Sequence, residues 1–333
     1  MQRTDIRLSL PSKGRLAEDS LAFLAACGLG IYKPNPRQYE ATIPSLPGLT
    51  VLFQRPTDIV ISVRNGSVDF GITGLDVLTE HRGPNGEVLI LHDALGFGAC
   101  SLNVIVPEAW EEVTTMADLR RKQEQLGRPL RVATKYPHTA APFFARHDLP
   151  ETVFITAEGT LEIAPAIGYA DLIIDLVSSG QTLRDNRLRP LSDGLILRSQ
   201  AALIANQAAL RSRPEVLAVA RHLLEFFDAH LRAQENLSVF ANMRGESPEI
   251  IARRMFAQTT LGGLNGPTIS RIVVRDGDSN WYDVHIIVRR DQLPTAIAEL
   301  RAIGGSGVVV APVTYIFEEE PPRYKALLEA LRL

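Results

Sequence analysis

From Leu172 to Leu183 the chain reads Leu-Ile-Ile-Asp-Leu-Val-Ser-Ser-Gly-Gln-Thr-Leu, an apolar run that meets a carboxylate and then a loop of hydroxyls around a glycine. A string of this kind can cradle an anion. Gly180 lets the backbone approach a ligand, while Ser178, Ser179 and Thr182 offer hydroxyls. The helix expected to follow the loop would add unpaired N–H groups and the positive end of its dipole. Asp175, at the mouth of the expected strand, suits sugar hydroxyls or a magnesium ion bridged to phosphate. The same residues taken alone also make an ordinary turn and helix start, so their chemistry depends on the longer string around them.

Two cations, Lys13 and Arg15, flank Gly14 directly after the strand-like run Ile6–Leu10. At a strand-to-helix turn they could meet a triphosphate or pyrophosphate; away from a strand, Lys-Gly-Arg reads as a solvated helix entry. Gly71 and Gly74 around Ile72-Thr73 suit a tight strand-end loop with close ligand approach, or equally a plain turn.

These residues need a scaffold of alternating strands and helices, and the sequence supplies one. Short β-rich runs at 6–10, 68–73, 130–134 and 172–174 alternate with helical patterns such as Leu16–Cys27, as in a parallel sheet covered by helices. In such sheets, ligands sit beyond the carboxyl ends of the strands. A long helical pattern from Pro214 to Arg232 is followed by a change of character. Strand 237–243, helix 248–258, strands 271–275 and 281–288, helix 291–303 and strand 308–317 give the order βαββαβ, a ferredoxin-like sandwich suited to regulation or assembly.

Composition narrows the function. The 333 residues are 45% hydrophobic and 22% charged, an ordinary globular balance, and exceed the usual length of one domain. Lys+Arg 35 against Asp+Glu 38 leaves a net charge of −3, with no global basic field for nucleic acid. Cys27 and Cys100 are too few for a disulfide framework or a zinc knuckle, so a reduced, cytoplasmic setting is expected, with no membrane anchor. None of the seven histidines has metal-ligand spacing. The Gly304-Gly305-Ser306-Gly307 run is a loop rather than a nucleophile elbow, which removes hydrolase chemistry.

The blocks Glu158-Gly159-Thr160-Leu161-Glu162-x-Ala164-Pro165 and Ala170-Asp171-Leu172-Ile173-x-Asp175-x-x-Ser178-Ser179-Gly180-x-Thr182-Leu183 resemble the signature of the ATP phosphoribosyltransferases that open histidine biosynthesis. The Asp-x-x-x-Ser-Gly-x-Thr spacing is also similar to the phosphoribosyl-pyrophosphate loop of phosphoribosyltransferases at large, with Leu176 where many of these carry a second acid. Leu10–Leu16, Asp69–Asp76 and Ala133–Pro137 agree in the same order, so the resemblance spans essentially the whole chain. Asp58-Ile59-Val60 departs from the family's usual Asp-Ile-Pro, and the tail beyond Phe317 is longer than the family pattern.

The resemblance implies a reaction that joins N1 of ATP to C1 of phosphoribosyl pyrophosphate, giving phosphoribosyl-ATP and pyrophosphate. Lys13, Arg15, Arg55 and Asp175 would be the catalytic set, the cations and Mg2+ stabilising the leaving pyrophosphate and Asp175 also holding the metal. Substrate contacts would come from Gly74, Asp76, Lys135, Tyr136, Glu158 and Glu162, and from Asp175, Ser178, Ser179, Gly180, Gln181 and Thr182; Tyr136 would stack or simply pack. Leu261–Ser270 resembles the effector loop of the long form, which implies feedback by histidine through Asp228, Leu264 and Thr268. Dimers assembling into hexamers are implied as well.

The expected architecture is a two-lobed, periplasmic-binding-protein-like catalytic part followed by a ferredoxin-like α+β domain. Lobe 1 would take residues 1–103 and 193–232, lobe 2 residues 104–192, and the regulatory domain 233–333. The rival reading is a non-catalytic two-lobed ligand sensor, disfavoured by the absence of an export signal and by the completeness of the phosphate loop.

Overall fold

A computed structural model describes residues 4–35, 37–157, 159–275, 277 and 280–332. In chain order the first lobe contains β1 (Ile6–Pro11), α1 (Arg15–Ala26), β2 (Glu40–Thr42), β3 (Leu49–Gln54), α2 (Pro56–Arg64), β4 (Phe70–Gly74), α3 (Leu75–His81) and β5 (Val88–His92). The second lobe follows with β6 (Cys100–Pro107), α4 (Met116–Leu126), β7 (Arg131–Thr134), α5 (Pro137–Arg146), β8 (Val153–Thr156), β9 (Leu172–Val177), α6 (Gln181–Asp185) and β10 (Leu188–Ser199). The chain then returns through β11 (Ala201–Asn206), α7 (Gln207–Ser212) and α8 (Pro214–Gln234).

The first sheet has the order β2-β3-β1-β4-β11-β5 and the second β10-β6-β9-β7-β8. In the first, β1 lies parallel to β3 and β4, with β11 antiparallel to β4; in the second, β7 lies parallel to β8 and β9, with β6 antiparallel to β9. Each sheet therefore completes itself with a strand reached by a crossing of the chain, the two-lobed binding-protein plan. The two crossing segments pair, Leu95 N–H donating to Ala201 O and Ala201 N–H to Phe97 O, both at 3.0 Å.

Burial on both faces explains why the central strands read as unbroken apolar runs. On β9, Leu172 and Ile174 join a core with Val104, Val132 and Phe144, while Ile173 points the other way onto Ile105, Ala133 and Leu161. The first lobe closes α2 onto its sheet through Ile59, Val60 and Val63 against Ile204.

The observed limits differ from the expected ones. Residues 100–103 and 193–199 belong to strands of the second sheet, and the chain rejoins the first only at Ala201. Asp193 is tied to the second lobe because its Oδ1 accepts the Met116 N–H at 2.8 Å at the start of α4. The chain divides into two compact units, Met1–Arg221 with Pro322–Leu333, and His222–Pro321. The division thus falls inside α8, and the last helix, α11 (Pro322–Leu331), groups with the first unit. Its buried Leu327 and Leu331 form an apolar side, α11 contacts β5 and α7, and Arg323 Nη1 reaches Asp93 Oδ1 at 3.0 Å.

The second unit holds β12 (Asn236–Arg244), α9 (Pro248–Gln258), β13 (Thr268–Arg271), β14 (Trp281–Arg289), α10 (Leu293–Ala302) and β15 (Ser306–Pro312). Its antiparallel sheet, ordered β13-β14-β12-β15, is the ferredoxin-like arrangement. Strands β12 and β14 bury every second residue under the helices, from Val239, Ala241 and Met243 to Val284 and Ile286. The strand expected at 271–275 instead ends at Arg271, and that expected at 308–317 ends at Pro312.

Candidate active site

Strand β9 delivers Asp175, which lies within the strand, two residues before its end at Val177, rather than at its mouth. Its Oδ1 accepts the Leu176 N–H at 2.8 Å. Strands β7 and β9 run parallel with Thr134 opposite Ile174, which carries the exposed Lys135 alongside Asp175. Burial raises the Asp175 carboxyl above its ordinary value; the Leu176 hydrogen bond and the Lys135 charge oppose the rise, and the Glu162 carboxylate adds to it. Glu162 sits in a single 3-10 turn, Leu161–Ile163, and Glu158 lies outside the described residues.

The loop after β9 exposes Ser178, Ser179, Gln181 and Thr182, and turns at Gly180, whose φ of 70° is the left-handed region that glycine enters without strain. Helix α6 is only five residues long, so the expected dipole contribution is small and the loop amides and hydroxyls carry the polarity. Sequence reasoning passed over a cation here. Arg184 Nη2 donates to Gln181 Oε1 at 2.9 Å and to Ser179 O at 3.4 Å, folding the guanidinium back over the loop. An Arg four residues after the loop glycine was the available signal, since that spacing returns a side chain to the helix start.

In the first lobe, β1 and β3 pair in parallel with Pro11 opposite Gln54, and the Ser12 N–H donates to Gln54 O at 2.8 Å. Lys13, Arg15 and Arg55 therefore leave the same end of the sheet, all three exposed. Gly14, with φ 79°, makes the turn into α1, and Arg55 precedes Pro56 at the start of α2. Arg15 makes one loose ion pair, 3.6 Å to Asp19 on the next turn, which costs it little freedom.

Asp76 and Tyr136 meet each other. Tyr136 Oη donates to Asp76 Oδ2 at 2.8 Å, Ser199 Oγ donates to Asp76 Oδ1 at 2.5 Å, and the Asp76 N–H returns to Ser199 Oγ at 2.9 Å. Asp76, Tyr136 and Ser199 are all buried. Burial first, then the Asp76 charge and hydrogen bond, pushes the Tyr136 phenol far above its ordinary range, so it stays a donor. Gly74 serves this contact, since a Cβ there would run into the Asp76 carboxylate.

The expected effector residues lie in the second unit. Asp228 is half-buried on α8, Leu264 is exposed in the turn before β13, and Thr268 is the exposed first residue of β13.

Among the described residues no three His, Cys, Asp or Glu side chains gather to hold a metal unaided. Asp175, a half-buried carboxylate directly before the hydroxyl loop, does fit magnesium, which takes one or two protein carboxylates and completes its shell from substrate phosphates and water.

Two α/β lobes built on mixed sheets, with a hydroxyl-rich loop after a half-buried carboxylate on one and three exposed cations at one end of the other's sheet, have the make-up of a transferase for phosphorylated substrates. Residues 55–225 match the family model for ATP phosphoribosyltransferase, and residues 233–315 that for the HisG C-terminal domain. The chain is 43% identical to ATP phosphoribosyltransferase 1, chloroplastic, of Arabidopsis thaliana, over 99% of this chain and 82% of that one. With the ATP phosphoribosyltransferase of Rhodopseudomonas palustris it shares 35% identity over 98% of both chains. The ATP phosphoribosyl transferase (HisG:HisZ) complex from Thermotoga maritima superposes with a TM-score of 0.52 at 22% identity, over 67% of this chain and 98% of that one, a likeness of fold. The chain belongs to the ATP phosphoribosyltransferase family of histidine biosynthesis, in the long form that carries the C-terminal domain. No helix among the described residues is long and apolar enough to cross a membrane.

Proposed function

We propose that the loop Ser178–Thr182 with Arg184 holds the 5′-phosphate of phosphoribosyl pyrophosphate, that Asp175 receives its ribose hydroxyls, and that Lys13, Arg15 and Arg55 face the diphosphate and triphosphate groups. The observation that carries this reading is the half-buried Asp175, on a strand whose parallel neighbour leads into Lys135, directly before a hydroxyl loop turned by a left-handed glycine. The reaction displaces pyrophosphate from C1 of the ribose by N1 of ATP, and positive charge develops on the sugar as the bond breaks. No covalent help from the protein is required, and positioning with charge neutralisation does most of the work. Lys13, Arg15 and Arg55 stabilise the departing anion, while Asp175 and Lys135 orient the ribose. Magnesium, held by Asp175, would add charge neutralisation at the diphosphate.

The second unit is read as the regulatory domain, with histidine as effector at Asp228, Leu264 and Thr268; membership of the long form supports this. Assembly through dimers to hexamers has the same support, and the exposed Val309 and Val310 on edge strand β15 suit pairing with another copy. A reduced, cytoplasmic setting accords with two free cysteines, of which Cys27 is buried with its thiol pushed up to about 12 by that burial.

Incubation with ATP, phosphoribosyl pyrophosphate and magnesium, with pyrophosphatase to draw off product, should give phosphoribosyl-ATP by mass. Thr182→Ala and Asp175→Ala should each cut turnover at least about tenfold with the fold intact, and Thr182→Ala should weaken phosphoribosyl-pyrophosphate binding in calorimetry. Near-normal kinetics in both variants would remove the site assignment; binding without turnover in the wild type would favour a sensor.

A further inference from the structure

A buried polar cluster in the first unit lies between the lobes. Helix α3 of the first lobe presents Asp76 and Glu80 one turn apart, both buried. Asp76 takes hydrogen bonds from Tyr136 and Ser199, as described. Glu80 reaches the start of α5 in the second lobe, Oε1 accepting the His138 N–H at 2.8 Å and Oε2 accepting the Thr139 N–H at 2.8 Å and the Thr139 Oγ1 hydroxyl at 2.7 Å.

This arrangement fills a gap in α5. A helix start needs acceptors for its first N–H groups, yet Tyr136, at the N-cap of α5, provides no side-chain cap. Pro137 has no N–H to satisfy, which leaves those of His138 and Thr139, and Glu80 takes both. The cap of a second-lobe helix is thus supplied by the first lobe, with its negative charge at the favourable end of the dipole.

Between the cap and strand β7 lies Lys135. Its neighbours are both held, since the Tyr136 N–H donates to Thr134 Oγ1 at 3.0 Å and Tyr136 Oη donates to Asp76. The turn that carries Lys135 to Asp175 is therefore fastened to the first lobe at two points.

We propose that Asp76, Glu80 and Ser199 are positioning residues: they lock the Lys135–Tyr136 turn onto α3 and so set the span between the first-lobe cations and the ribose-phosphate site. This inference rests on the site reading above, and it gives Asp76 and Tyr136 a role other than substrate contact. Two substrates divided between lobes react at a rate set by how well the lobes align them, and a misplacement of about 1 Å can cost about a hundredfold. Each substrate's own binding need not change.

The test uses the full-length enzyme and the variants Asp76→Asn, Tyr136→Phe, Ser199→Ala and Glu80→Gln. In Asp76→Asn and Tyr136→Phe, kcat should fall between about ten- and a hundredfold. The dissociation constants of ATP and phosphoribosyl pyrophosphate, measured separately by calorimetry, should stay within about twofold. The double variant Asp76→Asn/Tyr136→Phe should be no slower than the worse single variant, because both changes break one link. Unchanged kcat overturns the proposal, as does a loss of substrate affinity matching the loss of kcat, which would make Asp76 a substrate contact. If Asp76→Asn does not fold, Ser199→Ala and Glu80→Gln decide by the same criteria. Thr182→Ala, outside this cluster, keeps the two readings apart: its failure to weaken phosphoribosyl-pyrophosphate binding counts against the site and not against the lock.

Discussion

Asp171 and Asp175 stand four residues apart, and their surroundings drive their carboxyls in opposite directions. Asp171 is desolvated, but Arg128 holds it through both Nη atoms at 2.7 and 2.8 Å, and Arg131 adds its Nη2 and its backbone N–H. The hydrogen bonds outweigh the burial, and the carboxyl lies well below the ordinary carboxylate range. Asp175, whose burial lacks such partners, lies above it. The signs for stability follow. Asp171 stabilises the fold above the unfolded value of about 4, and that contribution is lost as pH falls through its lower folded value. For Asp175 the favourable contribution is present below about 4 and is lost as pH rises through its raised folded value. Asp171→Asn should therefore destabilise at pH 7 by roughly 1–3 kcal/mol, at the lower end because both arginines are partly exposed. Asp175→Asn should raise the ligand-free melting temperature at pH 7 by about 1–3 °C while sharply lowering turnover, if the proposed site holds this charge at the expense of stability. Thermal melts between pH 4 and 8 check both, and a lower melting temperature for Asp175→Asn at pH 7 would contradict the second.

At the scale of elements, the loop from β9 into α6 turns on one residue. Gly180→Ala would force a Cβ into the left-handed region, at about 1–2 kcal/mol, and would bring it 3.3 Å from Arg184 Nη1. Weaker phosphoribosyl-pyrophosphate binding by calorimetry, with a small drop in melting temperature, is the expected result; unchanged affinity would mean that the loop's shape is not used. Strands β1, β4, β7 and β9 could be read from the sequence because each is a short apolar run ending in a polar or glycine-bearing loop. Strand β10 could not, since Pro190 and Gly194 within it look like loop residues. They are tolerated because β10 is an edge strand whose pairing with β6 shifts register between Pro190 and Leu195. The Glu80 cap and the Ser199–Asp76 bond were equally hidden. They join residues 58 or more positions apart, and no local periodicity reports a partner on another lobe. The hydroxyl loop after β9 is legible in the sequence because its glycine, hydroxyls and carboxylate are contiguous, whereas the cations come to one end of the sheet only through the pairing of β1 with β3.

At the scale of the whole molecule, the second unit is an insertion. The chain leaves the first unit after Arg221 and re-enters it at Pro322. These two points are held near each other, with the Arg221 guanidinium 5.6 Å from the centre of the Tyr324 ring. While the first unit remains folded, an unfolded second unit is a closed loop rather than a free tail. A closed loop has fewer conformations to gain on melting, as in a chain with a crosslink, and for one of this length the difference amounts to as much as about 4 kcal/mol. Ending the chain after Pro321 would open the loop without altering a residue of the second unit, whose melting should then move to lower temperature in calorimetry, and an unmoved transition would show that α11 does not hold the loop shut. The final helix would then stabilise, through entropy alone, a unit to which it does not belong.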